Sequence, residues 1–203
     1  MPSKKKLLAE LNRLVENNGE PIAVILEGRD SAGKSGTIRM LSQYMPANLF
    51  SINHSKKPTK SAMRNWFGYW NTRLPKNGQV IFYDRSWYSR ALVQRVNGWC
   101  SERKAKNFLA NVKDWESQSG ARVIKFYLSI TKDEQQARLN ARRKSPLTYW
   151  KYSPNDAKAL DSFDQMTLAK EDAIDSDWLV IDYNDKKSGR LALLERLVQE
   201  LKK

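Results

Sequence analysis

The octet Gly28-Arg29-Asp30-Ser31-Ala32-Gly33-Lys34-Ser35 fits the pattern G-x-x-x-x-G-K-[ST], and its flanks decide what it means. Before it, Ile22–Leu26 is a short unbroken apolar run with β-branched residues, the mark of a strand buried on both faces. After it, Thr37–Tyr44 reads as a helix. A glycine-bracketed loop between a strand end and a helix start turns consecutive backbone N–H groups toward an anion, and the positive end of the helix adds to the attraction. Gly28 and Gly33 supply the unusual backbone conformations, Lys34 a charge for a phosphoryl group, and Ser35 a hydroxyl that can ligate Mg²⁺. Ser31, Ala32 and Gly36 complete the candidate phosphate-binding loop. Asp30 is the unusual member. An acid there repels phosphate unless a cation lies between, so it is a candidate metal contact or proton acceptor.

Strand and helix patterns alternate along the rest of the chain. An amphipathic helix is expected at Leu7, Leu8, Leu11, Leu14 and Val15, stopped by Asn17-Asn18-Gly19. Further strands are expected at Leu49–Ile52, Val80–Tyr83, Val123–Leu128 and Leu179–Ile181. One helix is expected through Met63, Trp66, Phe67, Trp70 and Leu74, and another through Ala105, Phe108, Leu109, Val112 and Trp115. A charged helix covers about 132–143, an aperiodic stretch with two prolines follows, and helices are expected over 155–172 and through Leu191, Leu194, Val198 and Leu201. The expectation is an α/β fold: a three-layer P-loop NTPase-like domain spanning 1–203, with a five-stranded parallel sheet, helices on both faces and a helical lid over approximately 132–160.

Two further groups carry candidate chemistry. Asp84 closes the apolar run Val80–Tyr83, at the strand end where ligands bind in open α/β sheets. It can hold Mg²⁺ beside the loop, and Arg85 after it can clamp phosphate through two N–H groups. Arg138 and Arg142 are four apart and share a helix face; Arg143, Lys144 and Lys151 follow. An isolated pair of this kind reads as a solvated helix face, but downstream of a phosphate loop it reads as a lid that closes over the phosphates. The Trp66, Phe67 and Trp70 stripe is expected in the core rather than as a base-stacking platform, and Cys100 is assigned no chemistry.

The net charge of +14 favours polyanionic partners. A single cysteine excludes an intramolecular disulfide framework, and no apolar run approaches the length of a membrane span. The basic N-terminal stretch is interrupted by Glu10, Arg13 and Glu16, so it does not read as a signal peptide; a cytoplasmic protein is expected.

Four stretches together resemble the polyphosphate kinase 2 family. They are Glu27–Lys34; Arg73-Leu74-Pro75 with Gly78; Phe82-Tyr83-Asp84-Arg85-Ser86-Trp87-Tyr88 running to Arg95-Val96; and Gln135 through Arg138 and Arg142 to Pro146, Trp150-Lys151 and Ser153–Asp156. Trp178–Ile181 with Asp185-Lys186 also looks like that family. The resemblance implies Mg²⁺-dependent phosphoryl transfer, with Mn²⁺ as a substitute, between inorganic polyphosphate and a nucleotide (AMP, ADP, ATP or the guanine equivalents). Asp30, Lys34, Asp84, Arg85, Arg138 and Arg142 would carry it, with Asp30, Asp84 and Ser35 at the metal. It further implies a homodimer or homotetramer; no membrane partner is expected of the chain, and nucleic acid is not the expected polyanion. Three positions depart from the family pattern: Ala62 where a Glu is expected, Thr148 where a lysine is expected, and Ser35 where glycine is frequent. The alternatives are an ATP-dependent nucleotide or nucleoside kinase resembling thymidylate kinase, and a non-catalytic P-loop protein that holds polyanions.

Overall fold

The computed structural model describes residues 3–152 and 154–203, the side chains of Lys151, Pro154 and Asn155 excepted. In chain order the elements are α1 (Lys4–Glu16), β1 (Ile22–Gly28), α2 (Lys34–Ser42), β2 (Phe50–His54), α3 (Lys60–Arg64), α4 (Trp66–Asn71) and β3 (Val80–Asp84). A 3-10 turn (Trp87–Arg90), α5 (Val93–Val96), α6 (Glu102–Gln118), β4 (Arg122–Ser129) and α7 (Lys132–Lys144) come next. A second 3-10 turn (Tyr149–Lys151), α8 (Pro154–Lys158), α9 (Phe163–Ala173), β5 (Trp178–Asp182) and α10 (Lys186–Leu201) complete the chain.

The five strands pair in the order β2-β3-β1-β4-β5, every neighbouring pair parallel, as the alternating pattern predicts. All seven residues of β1 are buried, so the central strand has apolar cover on both sides. Successive side chains on a strand point to opposite faces. Ile22, Val24 and Leu26 accordingly join Leu11, Ile38, Phe82, Phe126, Leu194 and Leu197 under α1, α2 and α10. Ala23 and Ile25 join Ile81, Tyr83, Trp70, Trp87, Phe108 and Trp178 on the other face. The result is a three-layer sandwich whose aromatic weight lies on one side. Trp66 and Trp70 are 6% and 1% exposed, so the tryptophans of the stripe belong to the core.

The structure departs from the sequence pattern in three helices. The helix expected through Met63 and Leu74 is two, broken at Asn65 (φ −123°, ψ 77°). Its amide caps α3 through Ser61 O, and its side chain caps α4 by accepting from Gly68 N at 3.1 Å. Asparagine side chains bond nearby backbone as readily as they continue a helix, which is why periodicity alone joins the two. The helix expected over 155–172 is also two, parted around Ser162, whose amide and hydroxyl both bond Lys158 O at 3.1 and 3.0 Å. α2 begins at Lys34 rather than Thr37, because the end of the phosphate loop is already its first turn.

Gly28 ties the loop to the sheet. Its φ is +142°, and a Cβ built there would lie 2.6 Å from Leu128 O on the neighbouring strand. A side chain at this position is strained in its own backbone and collides with a carbonyl held by the ladder. Gly28→Ala is expected to cost about 3 kcal/mol or more, read as a lowered midpoint in thermal or urea unfolding. An unchanged midpoint would show that β4 yields at Leu128.

Candidate active site

Parallel pairing sets the ends of β1 and β3 side by side, with Leu26 opposite Asp84. Beyond them lies a cleft of about 890 Å³ whose wall includes Asp30, Ser31, Gly33, Lys34, Ser35 and Gly36 of the loop. Its other residues come from Asp84 and Arg85, from α7 and the turn after it, and from the start of α10. The loop is folded through two left-handed residues, Ser31 (φ 65°) and Gly33 (φ 116°). The Lys34 amine donates to Gly28 O at 2.8 Å and Arg29 O at 2.9 Å, spanning the loop from beneath. Burial, and after it the charge of Arg85, push this lysine down to about 8, against the pull of Asp84, Asp30 and Glu27. A phosphate brought into the loop supplies the counter-charge that the lysine lacks.

Arg85, itself at φ 67°, is the hub of the acidic side. Its guanidinium pairs with Asp30 at 2.7 Å and lies 3.7 Å from Glu27. Burial opposes its charge, but Asp30, Glu27 and Asp84 outweigh burial and hold its pKa above the ordinary value. Burial likewise opposes ionisation of Asp30, yet Arg85 and Lys34 keep its pKa below the usual carboxylate value. Ser35 Oγ donates a short hydrogen bond to Asp84 Oδ2, and His54 Nδ1 lies 3.6 Å from the same oxygen. The lone histidine, 59% exposed at its side chain, therefore sits at the rim beside the second acid.

Among the described residues no group of three or more His, Cys, Asp and Glu side chains could form a metal cage. The donor set instead suits Mg²⁺, which takes one or two carboxylates and completes its shell with water and substrate phosphates. Asp84 and the Ser35 hydroxyl already lie within hydrogen-bond reach of each other, and Asp30 lines the same cleft.

The sequence-predicted residues do not all line the cleft: Ala32, fully buried, lies outside its wall. Gly28 is not in the cleft wall; it is the last residue of β1 and shapes the loop from behind. Arg138 lines the cleft but is 7% exposed, and all of its hydrogen bonds run to protein: to Ser31 O (3.2 Å), Ala32 O (2.9 Å), Asn184 O (3.1 Å), Tyr183 O and the Glu134 carboxylate (2.5 Å). Arg142 also lines the cleft and pairs with buried Asp156 at 2.8 Å. Arg143 and Lys144 are exposed and outside the wall. The helical repeat explains this, since Glu134, Ala137, Arg138, Ala141, Arg142 and Ser145 form one face and the next two positions turn off it. The Lys151 side chain lies outside the described residues. Of the departures from the family pattern, Thr148 lines the cleft and Ala62 is buried in α3.

The chain matches the family model described as polyphosphate kinase 2 (PPK2) over residues 2–203. The chain belongs to the polyphosphate kinase 2 family. It is 36% identical over 211 residues to NDP-polyphosphate phosphotransferase 2 of Ruegeria pomeroyi, covering 98% of this chain and 61% of that protein. It is 35% identical over 204 residues to GDP-polyphosphate phosphotransferase of Pseudomonas aeruginosa, covering 96% of this chain and 57% of that one. The chain thus spans well under two thirds of these relatives. The crystal structure of polyphosphate kinase 2 from Arthrobacter aurescens superposes with a TM-score of 0.83 at 29% identity, over 98% of this chain and 76% of that chain.

Three residues in or behind this cleft have a role that their local sequence does not reveal. Glu27, fully buried, accepts from Ser86 N at 2.8 Å, Ser86 Oγ at 3.1 Å and Ser89 Oγ at 3.3 Å. Burial pushes its carboxyl up, against Arg85. Its one signal is an acid at the end of an otherwise apolar strand. Lys186 and Arg190 enter the wall from α10. Gly36 makes room for the arginine: a Cβ there would lie 2.7 Å from an Arg190 Nη. With Lys34, Arg85, Arg138 and Arg142 they set six cations against Asp30, Asp84 and Glu134.

Proposed function

We propose that the chain is a Mg²⁺-dependent phosphotransferase moving a phosphoryl group between inorganic polyphosphate and a nucleoside mono- or diphosphate. The observation that carries the reading is the cation-lined cleft, with the Ser35–Asp84 pair at its floor and the phosphate loop along one side. Family membership and the names of the relatives, NDP- and GDP-polyphosphate phosphotransferase, support it.

Mg²⁺ would be held by Asp84, Ser35 and Asp30, and would neutralise phosphate charge; Mn²⁺ fits the same oxygen donors. Lys34 and the loop amides would cradle the transferred group, and Arg85, Arg142, Lys186 and Arg190 would balance its charge. In the forward direction an acceptor phosphate oxygen attacks the terminal phosphorus of polyphosphate. A P–O bond forms, the bond to the next phosphate breaks, and the chain leaves one unit shorter. The attacking oxygen is already anionic, so positioning and charge stabilisation do the catalytic work and no strong base is needed. We further propose that residues 132–160 act as a lid module within a single domain, and that the protein works in the cytoplasm as a homodimer or homotetramer. Among the described residues no helix is long and apolar enough to cross a membrane.

The test offers purified protein Mg²⁺ and polyphosphate with AMP or ADP separately. ADP or ATP is expected as product, and the better acceptor sets the subclass. Transfer from ATP with none from polyphosphate would replace this reading with a nucleotide kinase. Salt-sensitive polyanion binding without turnover would replace it with a binding module.

A further inference from the structure

A second cleft, about 470 Å³, opens between α3–α4 and α6. Its charged residues are Arg64, Arg90, Arg103 and Lys104, with no carboxylate in its wall, and Trp66 and Phe108 contribute its apolar part. Among the described residues none of the four cations has an ion-pair partner. Glu102, the nearest acid along α6, is bound at 2.6 Å to Arg95 instead. Arg64, Arg103 and Lys104 are exposed. Arg90 is 7% exposed, with its guanidinium 5.3 Å from the Trp66 ring centroid. One of its terminal nitrogens donates to Met63 O at 3.1 Å, while the other is buried and has no hydrogen-bond partner among the described residues.

A buried cationic N–H without an acceptor is costly, and native proteins rarely leave one unsatisfied. The residue that bears it lines a cavity whose other charged groups are also cations, so a ligand with several anionic oxygens matches the charge of that wall. Arg90 closes the 3-10 turn that begins two residues after Arg85, so the segment that follows β3 gives Arg85 to the first cleft and Arg90 to the second. We propose that this cleft is a second oligophosphate site centred on Arg90. The shared chemistry is a run of phosphates, supplied by a distal segment of the donor chain or by a separate nucleotide. That choice of ligand rests on the polyphosphate reading given above.

The test is a calorimetric titration of the full chain with tripolyphosphate, on a Lys34→Ala background that weakens binding in the first cleft, so that the second is read from its own variants. Residual binding is expected, weakened by high salt and by about tenfold or more when Arg103→Glu and Lys104→Glu are added. Both substituted residues are exposed; Arg90→Gln is the second variant and should weaken the same residual binding. No residual binding, or residual binding that neither variant changes, would overturn the proposal. With Lys34 intact, the Arg103→Glu/Lys104→Glu protein separates the sources. A raised KM for long-chain polyphosphate with an unchanged KM for tripolyphosphate identifies the distal segment, whereas lost binding of ATP to the Lys34→Ala protein identifies a nucleotide. Binding is read without turnover, so a protein that never uses polyphosphate as donor would refute the functional reading while leaving this site's own result legible.

Discussion

Asp84→Asn is expected to lower turnover on the order of 10²–10³-fold or more while leaving nucleotide binding nearly intact. The substitution keeps the size and shape of the side chain and removes one charge. Asp84 stands opposite Leu26 in the sheet, accepts from Ser35, and has His54 on its other flank. An asparagine can still accept that hydroxyl proton, so the start of α2 and the phosphate loop keep their places. On the proposed mechanism, what is lost is the carboxylate's share in holding a divalent cation against the transferring phosphate. Steady-state kinetics across a range of Mg²⁺, with nucleotide affinity measured separately, checks the two halves of the claim. Unchanged turnover would remove Asp84 from the mechanism. Loss of nucleotide affinity equal to the loss of turnover would make its role structural.

The parts of the site that were legible in the sequence are those that lie within one loop or at one strand end. The loop announces itself through spacing, and Asp84 through its place after four apolar residues; both readings need only local rules. The parallel sheet follows from the alternation of patterns, and its register then brings the two features together. Glu27 could be quoted as part of a motif but not assigned, since nothing in the sequence says that Ser86, Ser89 and Arg85 converge on it from across the sheet. Lys186 and Arg190 arrive from the far end of the chain because β4 and β5 lie beyond β1, which sets the start of α10 near the loop. Arg190 carries no local pattern that distinguishes it from a solvated basic helix, and Lys186 stands in a family-like stretch that gives it no role. Arg143 and Lys144 are a different case. The helical repeat that groups Arg138 with Arg142 also turns them off that face.

Arg138 shows how far a residue's position can be read without its role. Its place on the inner face of α7 follows from spacing, but whether a long side chain reaches over the phosphates or under the loop does not. The structure sends it under. Its donors satisfy Ser31 O and Ala32 O of the loop and Tyr183 O and Asn184 O beyond β5, with Glu134 as counter-ion. It thereby clasps the loop to the segment between β5 and α10. Lysine cannot reproduce a planar fork that reaches four carbonyls and a carboxylate at once. Arg138→Lys is therefore expected to cost about 3 kcal/mol, and Arg138→Met about 3–5 kcal/mol, by leaving buried acceptors without donors. Thermal unfolding should show a lowered midpoint in both variants, with phosphate affinity falling as the loop loosens. Arg142→Met, at a residue that also lines the cleft and pairs with Asp156 of α8, should instead lose turnover with a smaller change in midpoint. If Arg138→Met keeps the wild-type midpoint and loses only turnover, the guanidinium leaves the loop carbonyls during the reaction and Arg138 belongs with the lid arginines after all.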